Sequence, residues 1–393
     1  MLSILALTAA VLAQTGHAPA HSPVPQDREP AEFAVHEWGA FTSFSGPDGR
    51  VIPFRSRIAE DLPAFVHARI IGDRWLPADA QEFTREVLLA AQRMEAPVIY
   101  FHIPRPMEVR VEVSFPAGLI TEVYPPVSAY TPPKLAEQAI PPGGSSVTWE
   151  KVRIVPYVCC DFLEFKNAGK SHYAHARLTE GDGVHVEHNG EKHDERFLFY
   201  GGVGNPELGV RVRALGEGRL VLDSTLPGPF NAFTIENLDG VLRFGSHQDL
   251  KPGDQVSIPK SPAKQEALET EVRDALIRAG LNRDEAFAMV ATWKHQWFGE
   301  QGTRMLVILP QSLIDSALPL SITPTPDKTT RVFVSRLEVL TPERRAWLEG
   351  VVRKHESNPD APEFWAEVKP LGRFRDAALQ LVREKPVVTR KGG

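Results

Sequence analysis

The stretch that most narrows what this chain can fold into is Glu108–Phe115, which reads EVRVEVSF. Val109, Val111, Val113 and Phe115 fall to one side, and Glu108, Arg110, Glu112 and Ser114 to the other, the period of a strand with one dry and one wet face. Just before it, PVIYFHIP is a continuous apolar strand, so two strands follow one another across Arg105-Pro106. The 34 prolines and 29 glycines of the 393 residues extend that reading to the whole chain. Proline cannot donate to a ladder or sit inside a helix, so short strands joined by turns are favoured over long helices.

Further strands are expected at Glu32 to Ser45 and Val147 to Val155. The segment GVHVEHNGEKHDERFLFY has the signature of a hairpin turning at Asn189-Gly190, a pair that tolerates positive φ. More short strands run to about Pro259, spaced as in a sandwich or partly open barrel. Two kinds of helix break this pattern. Phe83, Val87, Leu88 and Ala91 share a face and predict a helix over 79–94. After Lys260, Ala267, Leu268, Val272, Ala275, Leu276 and Ala279 predict an amphipathic helix ended by Gly280. Asn282 then caps a second one, with Glu285 at the capping-box position and Phe287, Val290, Trp293 and Trp297 facing inward. Thr341-Pro342-Glu343 opens a last helical region.

The fold class expected is therefore α+β, predominantly antiparallel β-sandwich-like units with a helical insertion around 262–299 and a helical C-terminus. In chain order this gives a signal peptide (1–20), a Pro-rich tether (21–31), a β-rich region with one helix (32–125), a Pro-rich loop (126–146), a sandwich-like region (147–260), a helix pair followed by strands (261–345) and a helical tail (346–393). The N-terminus MLSILALTAAVLAQTGHAPA carries an apolar run from Leu2 to Ala13 and then small residues that suit signal peptidase, though no Lys or Arg precedes the run. The run is too short to span a bilayer. Export of a soluble mature protein, periplasmic or extracellular, with no membrane span, is the expectation.

A formal charge of −6 without a Lys/Arg stripe argues against nucleic acid as a partner. The only cysteines, Cys159 and Cys160, are adjacent, so an oxidised pair would close almost no loop and the chain is not a disulfide framework.

Several motifs in series, HEWGAFTS, RMEAPVIYFHIPRPMEVRVEVSFPAGLITEVYPP, ERFLFYGGVG, WFGEQGTRMLVILP and LPLSITPTPDKTTRVFVSRLEVLTPE, resemble a family of exported bacterial proteins marked by HEWGTFTS and METPVIYF. They are also similar to a wider set of secreted proteins with a KPVIYLYP strand. The resemblance spans roughly residues 33 to 342 and implies architecture and export without a chemistry. Ala40 and Ala96 stand where that family usually has threonine, and Val123 where it has tryptophan.

The stretch AVHEWGAFTS gathers a histidine, a carboxylate, an indole and a hydroxyl in His36, Glu37, Trp38 and Thr42. It is not HExxH, because position 40 is Ala40, and a strand sends His36 and Glu37 to opposite faces. Glu95, Glu122 and His172 complete the candidate residues. Among the histidines from His172 to His193, the H-x-x-H spacings read most simply as a solvated hairpin tip. No G-x-S-x-G, P-loop or G-x-G-x-x-G occurs, and the glycine-rich GGVGNPELG opens no clear helix. No cofactor is called for. A divalent metal is the one group the candidates could hold, with His36 and His172 its first ligands.

Two functions fit these residues. One is a non-catalytic cell-envelope or extracellular binding or structural module for an unidentified ligand. The other is a secreted hydrolase, metal-assisted, using His36 or Glu37 with a group from Glu95, His102 or His172.

Overall fold

The computed structural model describes residues 32–55, 62–69, 75–77, 88–135, 139–156, 162–164 and 172–383. The leader and tether, Cys159 and Cys160, and residues 79–87 of the expected 79–94 helix lie outside them.

A ten-stranded sheet organises the fold. Its centre is β1 (Ala34–Ser45), hydrogen-bonded in parallel to β21 (Lys328–Val339) and antiparallel to β6 (Gln92–His102). Beyond β21 come β19 (Gly302–Leu309), β16 (Phe230–Leu238) and β17 (Val241–Leu250). Beyond β6 come β13 (Leu198–Gly204), β8 (Gly118–Tyr124), β3 (His67–Arg69) and β4 (Trp75–Pro77). Strands from 34 to 339 thus interleave in one sheet, with a single parallel pair at its middle.

A second sheet covers one face: β12 (Glu191–Glu195), β11 (Gly183–His188), β10 (Ser145–Val155), β7 (Met107–Phe115) and β20 (Leu320–Thr323), with β9 (Ala129–Thr131) paired to β10. The alternation in EVRVEVSF is realised in β7, where Val109, Val111, Val113 and Phe115 are buried and the intervening side chains reach water. The hairpin β11–β12 turns at Asn189-Gly190, both at positive φ. A three-stranded sheet, β14 (Val210–Gly216), β15 (Arg219–Ser224) and β18 (Gln255–Ser257), extends the same apolar core, and β2 (Phe54–Arg55) pairs with β5 (Leu89–Ala90).

Helices cover the opposite face of the large sheet. A short helix α1 (His172–Ala176) is followed by α2 (Gln265–Arg278) and α3 (Arg283–Lys294), the last running into a π-turn, His295–Gly299. Leu268, Val272, Leu276, Met289, Trp293 and Trp297 form a second core against Trp38, Ala40, Val98 and Val334 of the sheet. After α4 (Gln311–Ala317), helices α5 (Pro342–Lys354), α6 (Pro362–Val368) and α7 (Arg375–Arg383) make a third core over Phe44 at the end of β1.

Three expectations are corrected. Within 79–94, Leu89–Ala90 and Gln92–Met94 are strand, because Arg93 and Met94 pair with both β1 and β13, and two ladders outweigh a helical spacing. Phe287 is 52% exposed, since the buried face of α3 runs through Glu285, Ala286, Met289 and Trp293 instead. The Pro-rich stretch 126–146 contains strand β9. Among the described residues no helix is long and apolar enough to cross a membrane.

Candidate metal centre

Strand β1 divides its polar residues between two faces, and each face has its own chemistry. Glu37 points into the core between the two large sheets and is fully buried. It accepts hydrogen bonds from Tyr200 of β13 and Arg331 of β21, and Arg331 Nη1 also reaches Asp315 at 3.0 Å. The guanidinium is held above its ordinary range: burial works against its charge, but Glu37 outweighs it. Glu37 is thereby committed to closing a buried ion pair across the sheet.

His36 points the other way, beneath the helices. His102, the last residue of β6, sits on the same face, because Ala34 pairs with His102 and His36 lies two residues on. The two rings meet edge to face with centroids 4.9 Å apart. Glu285 comes down on them from α3. As the third residue of that helix it accepts from the backbone N–H of Asn282 at 2.9 Å, the reciprocal half of a capping box. The same carboxylate lies 2.9 and 3.1 Å from His36 Nδ1 and 3.1 Å from His102 Nε2.

Glu285 lies 183 residues beyond His102 and 249 beyond His36 in the chain, and the ligand atoms of the three all fall within 4.8 Å of one another. Their exposures are 8% for His36, 15% for His102 and 0% for Glu285. Burial would raise the Glu285 carboxyl, but the His102 and His36 hydrogen bonds and their charge hold it down at about 2. Burial would lower the His102 imidazole, yet its bond to Glu285 carries it above the usual histidine range.

Two imidazoles and one carboxylate form a recurrent donor set for zinc and for iron(II). Bonds of about 2.0–2.2 Å place neighbouring donors of such an ion roughly 3–3.5 Å apart, close to the two Glu285–histidine spacings here. The nitrogens that face Glu285 as N–H donors are the ones that would carry the metal, so the ion would replace protons now shared with the carboxylate.

Of the remaining candidates, Trp38 packs edge-on to Trp293 at 5.3 Å, and Trp293 stacks on Trp297 at 5.3 Å, in the buried core. Thr42 and Glu95 lie at the far end of the sheet from His36. Glu95 lies inside β6, just before the irregularity at Ala96-Pro97, and it accepts from Arg373 of the C-terminal region. Glu122 is on β8, separated from β6 by β13, and accepts from Thr121. His172 begins α1, and its side chain lies outside the described residues. Among the described residues the groups that meet His36 are His102 and Glu285. Glu285 read as a cap in the sequence, and the signal pointing further was a charged residue on the apolar face beside Ala286 and Met289.

No protein-family model and no curated protein matches this chain.

Proposed function

We propose that this is an exported cell-envelope or extracellular module that holds one divalent transition metal, zinc by its donor set, between His36, His102 and Glu285. The observation that carries the reading is the single buried Glu285 carboxylate within hydrogen-bond distance of two histidines from different strands. Export rests on the apolar leader and on the resemblance of the serial motifs to exported proteins. An ion there would tie α3 to the paired strands β1 and β6, to which no backbone ladder joins it, and its binding energy would add to folding. The near-complete burial of the ligands favours this structural and binding role.

A second reading, hydrolysis, is favoured by the open coordination positions that three protein ligands leave and by the partly exposed edge of His102. In that case the metal would supply a water activated near neutral pH.

The test is calorimetric. Apo protein prepared with a chelator should bind one equivalent of zinc and melt at higher temperature when loaded, and His102→Ala should abolish both effects. Zinc-dependent cleavage of an activated ester, lost in His102→Ala, would select the hydrolase. Failure of the wild-type protein to bind zinc would overturn both readings.

A further inference from the structure

At the opposite end of the same sheet face lies a second buried polar cluster, independent of the metal centre. Thr42 of β1 pairs with Arg93 of β6 on one side and Arg336 of β21 on the other, so the three form a row across adjacent strands. Arg373 is brought over this row by its bond to Glu95. Arg336 and Arg373 both lie against the Phe374 ring, with guanidinium carbons 5.4 and 5.1 Å from its centroid.

The carboxylates present do not use all the donors. Arg336 gives Nη2 to Glu300 at 2.7 Å and to Glu338 at 2.8 Å, and Nε to Glu338 at 3.1 Å, while its Nη1 is buried with no acceptor among the described residues. Arg373 gives Nη1 to Glu95, while its Nε and Nη2 are buried with no acceptor among the described residues. The Thr42 hydroxyl on the neighbouring strand is also buried and has no partner among the described residues. The side chains of Arg336 and Arg373 are only 0% and 4% exposed, so bulk water does not reach these donors freely. Leaving charged N–H groups unsatisfied in such surroundings is costly.

We infer that Arg336, Arg373 and Thr42 form a binding site for a small monovalent anion, a halide such as chloride. An anion completes what protein acceptors leave unmet: Arg336 Nη1, Arg373 Nη2 and the Thr42 hydroxyl all donate, and none of them needs to move a proton. Its charge is set by the surroundings. Among the described residues the cluster's ion pairs join four guanidiniums, Arg93, Arg304, Arg336 and Arg373, to three carboxylates, Glu95, Glu300 and Glu338, an excess of positive charge that favours an anion of low charge. Its size is set by burial, which suits a single atom better than an organic acid.

The experiment is thermal unfolding of the full-length mature protein at constant ionic strength, with sodium gluconate replaced stepwise by sodium chloride. The melting temperature should rise saturably with chloride. Crystals soaked in bromide should show an anomalous peak in contact with Arg336, Arg373 and Thr42. Thr42→Val, which keeps volume and charge but removes one donor, should weaken the chloride response by about tenfold or more. Arg373→Gln should remove it. A melting temperature indifferent to chloride with no bromide peak would overturn the inference. So would an unchanged chloride response in both variants, or a response to formate or acetate without one to halide, which would assign the cluster to carboxylates.

Discussion

Glu37 and Glu285 are both fully buried carboxylates, and their partners give them different fates. Glu37 neutralises Arg331, whose charge stays in the core if the carboxylate is removed. Glu37→Ala should therefore cost about 3–5 kcal/mol in urea unfolding, because breaking a buried pair strands its partner. Metal content should not change, since Glu37 faces away from His36. Glu285 is shared between two histidines and a helix cap. Glu285→Gln keeps an oxygen for the Asn282 N–H but loses the charge a metal ligand needs, so zinc affinity by titration should fall at least about 100-fold while the fold persists.

At the scale of elements, β1 is fixed by what packs on its two faces. Gly39 sits where an added Cβ would fall 2.6 Å from the Phe333 ring and 3.0 Å from Pro97. The Trp38–Trp293–Trp297 stack holds the helical layer down, and Trp293→Ala should destabilise the protein by about 3–5 kcal/mol in the same urea assay. Much of this layer was legible in the sequence, because the helix pair after Lys260 carries its own caps and periodicity. The alternation of β7 and the Asn189-Gly190 turn were legible for the same reason: each is a local rule obeyed over a few residues. The start of β6 was not, because Gln92 to Met94 become strand only through partners on β1 and β13, which no local spacing encodes. The candidate site divided in the same way. His36 and the capping role of Glu285 could be read separately, while their meeting depends on how α3 docks on the sheet.

Across the whole molecule, buried ion pairs line the sheet from His36 to Phe44, and they couple the fold to pH. Burial would raise the Glu300 carboxyl, but Arg336 and Arg373 outweigh it and hold it at about 2, below the ordinary 4.5. A depressed carboxyl stabilises the folded state fully above its unfolded value and ceases to as pH falls through its folded one. The stability difference between wild type and Glu300→Gln should thus be flat from about pH 7 to 5 and shrink between roughly 4.5 and 2. Chemical denaturation in chloride-free buffers reads this directly, and a difference that stays constant to pH 2 would refute the pairing with Arg336.

The fold brings His36, His102 and Glu285 together from distant parts of the chain, and the proposed function rests on a metal held among them. X-ray absorption at the zinc edge of the purified, zinc-loaded protein tests that most directly. The expected spectrum has two imidazole nitrogens and a carboxylate oxygen at about 2.0–2.2 Å, and it changes in His36→Ala and in Glu285→Gln. A protein that retains no zinc after gel filtration, or a zinc spectrum unaltered by either substitution, would contradict it.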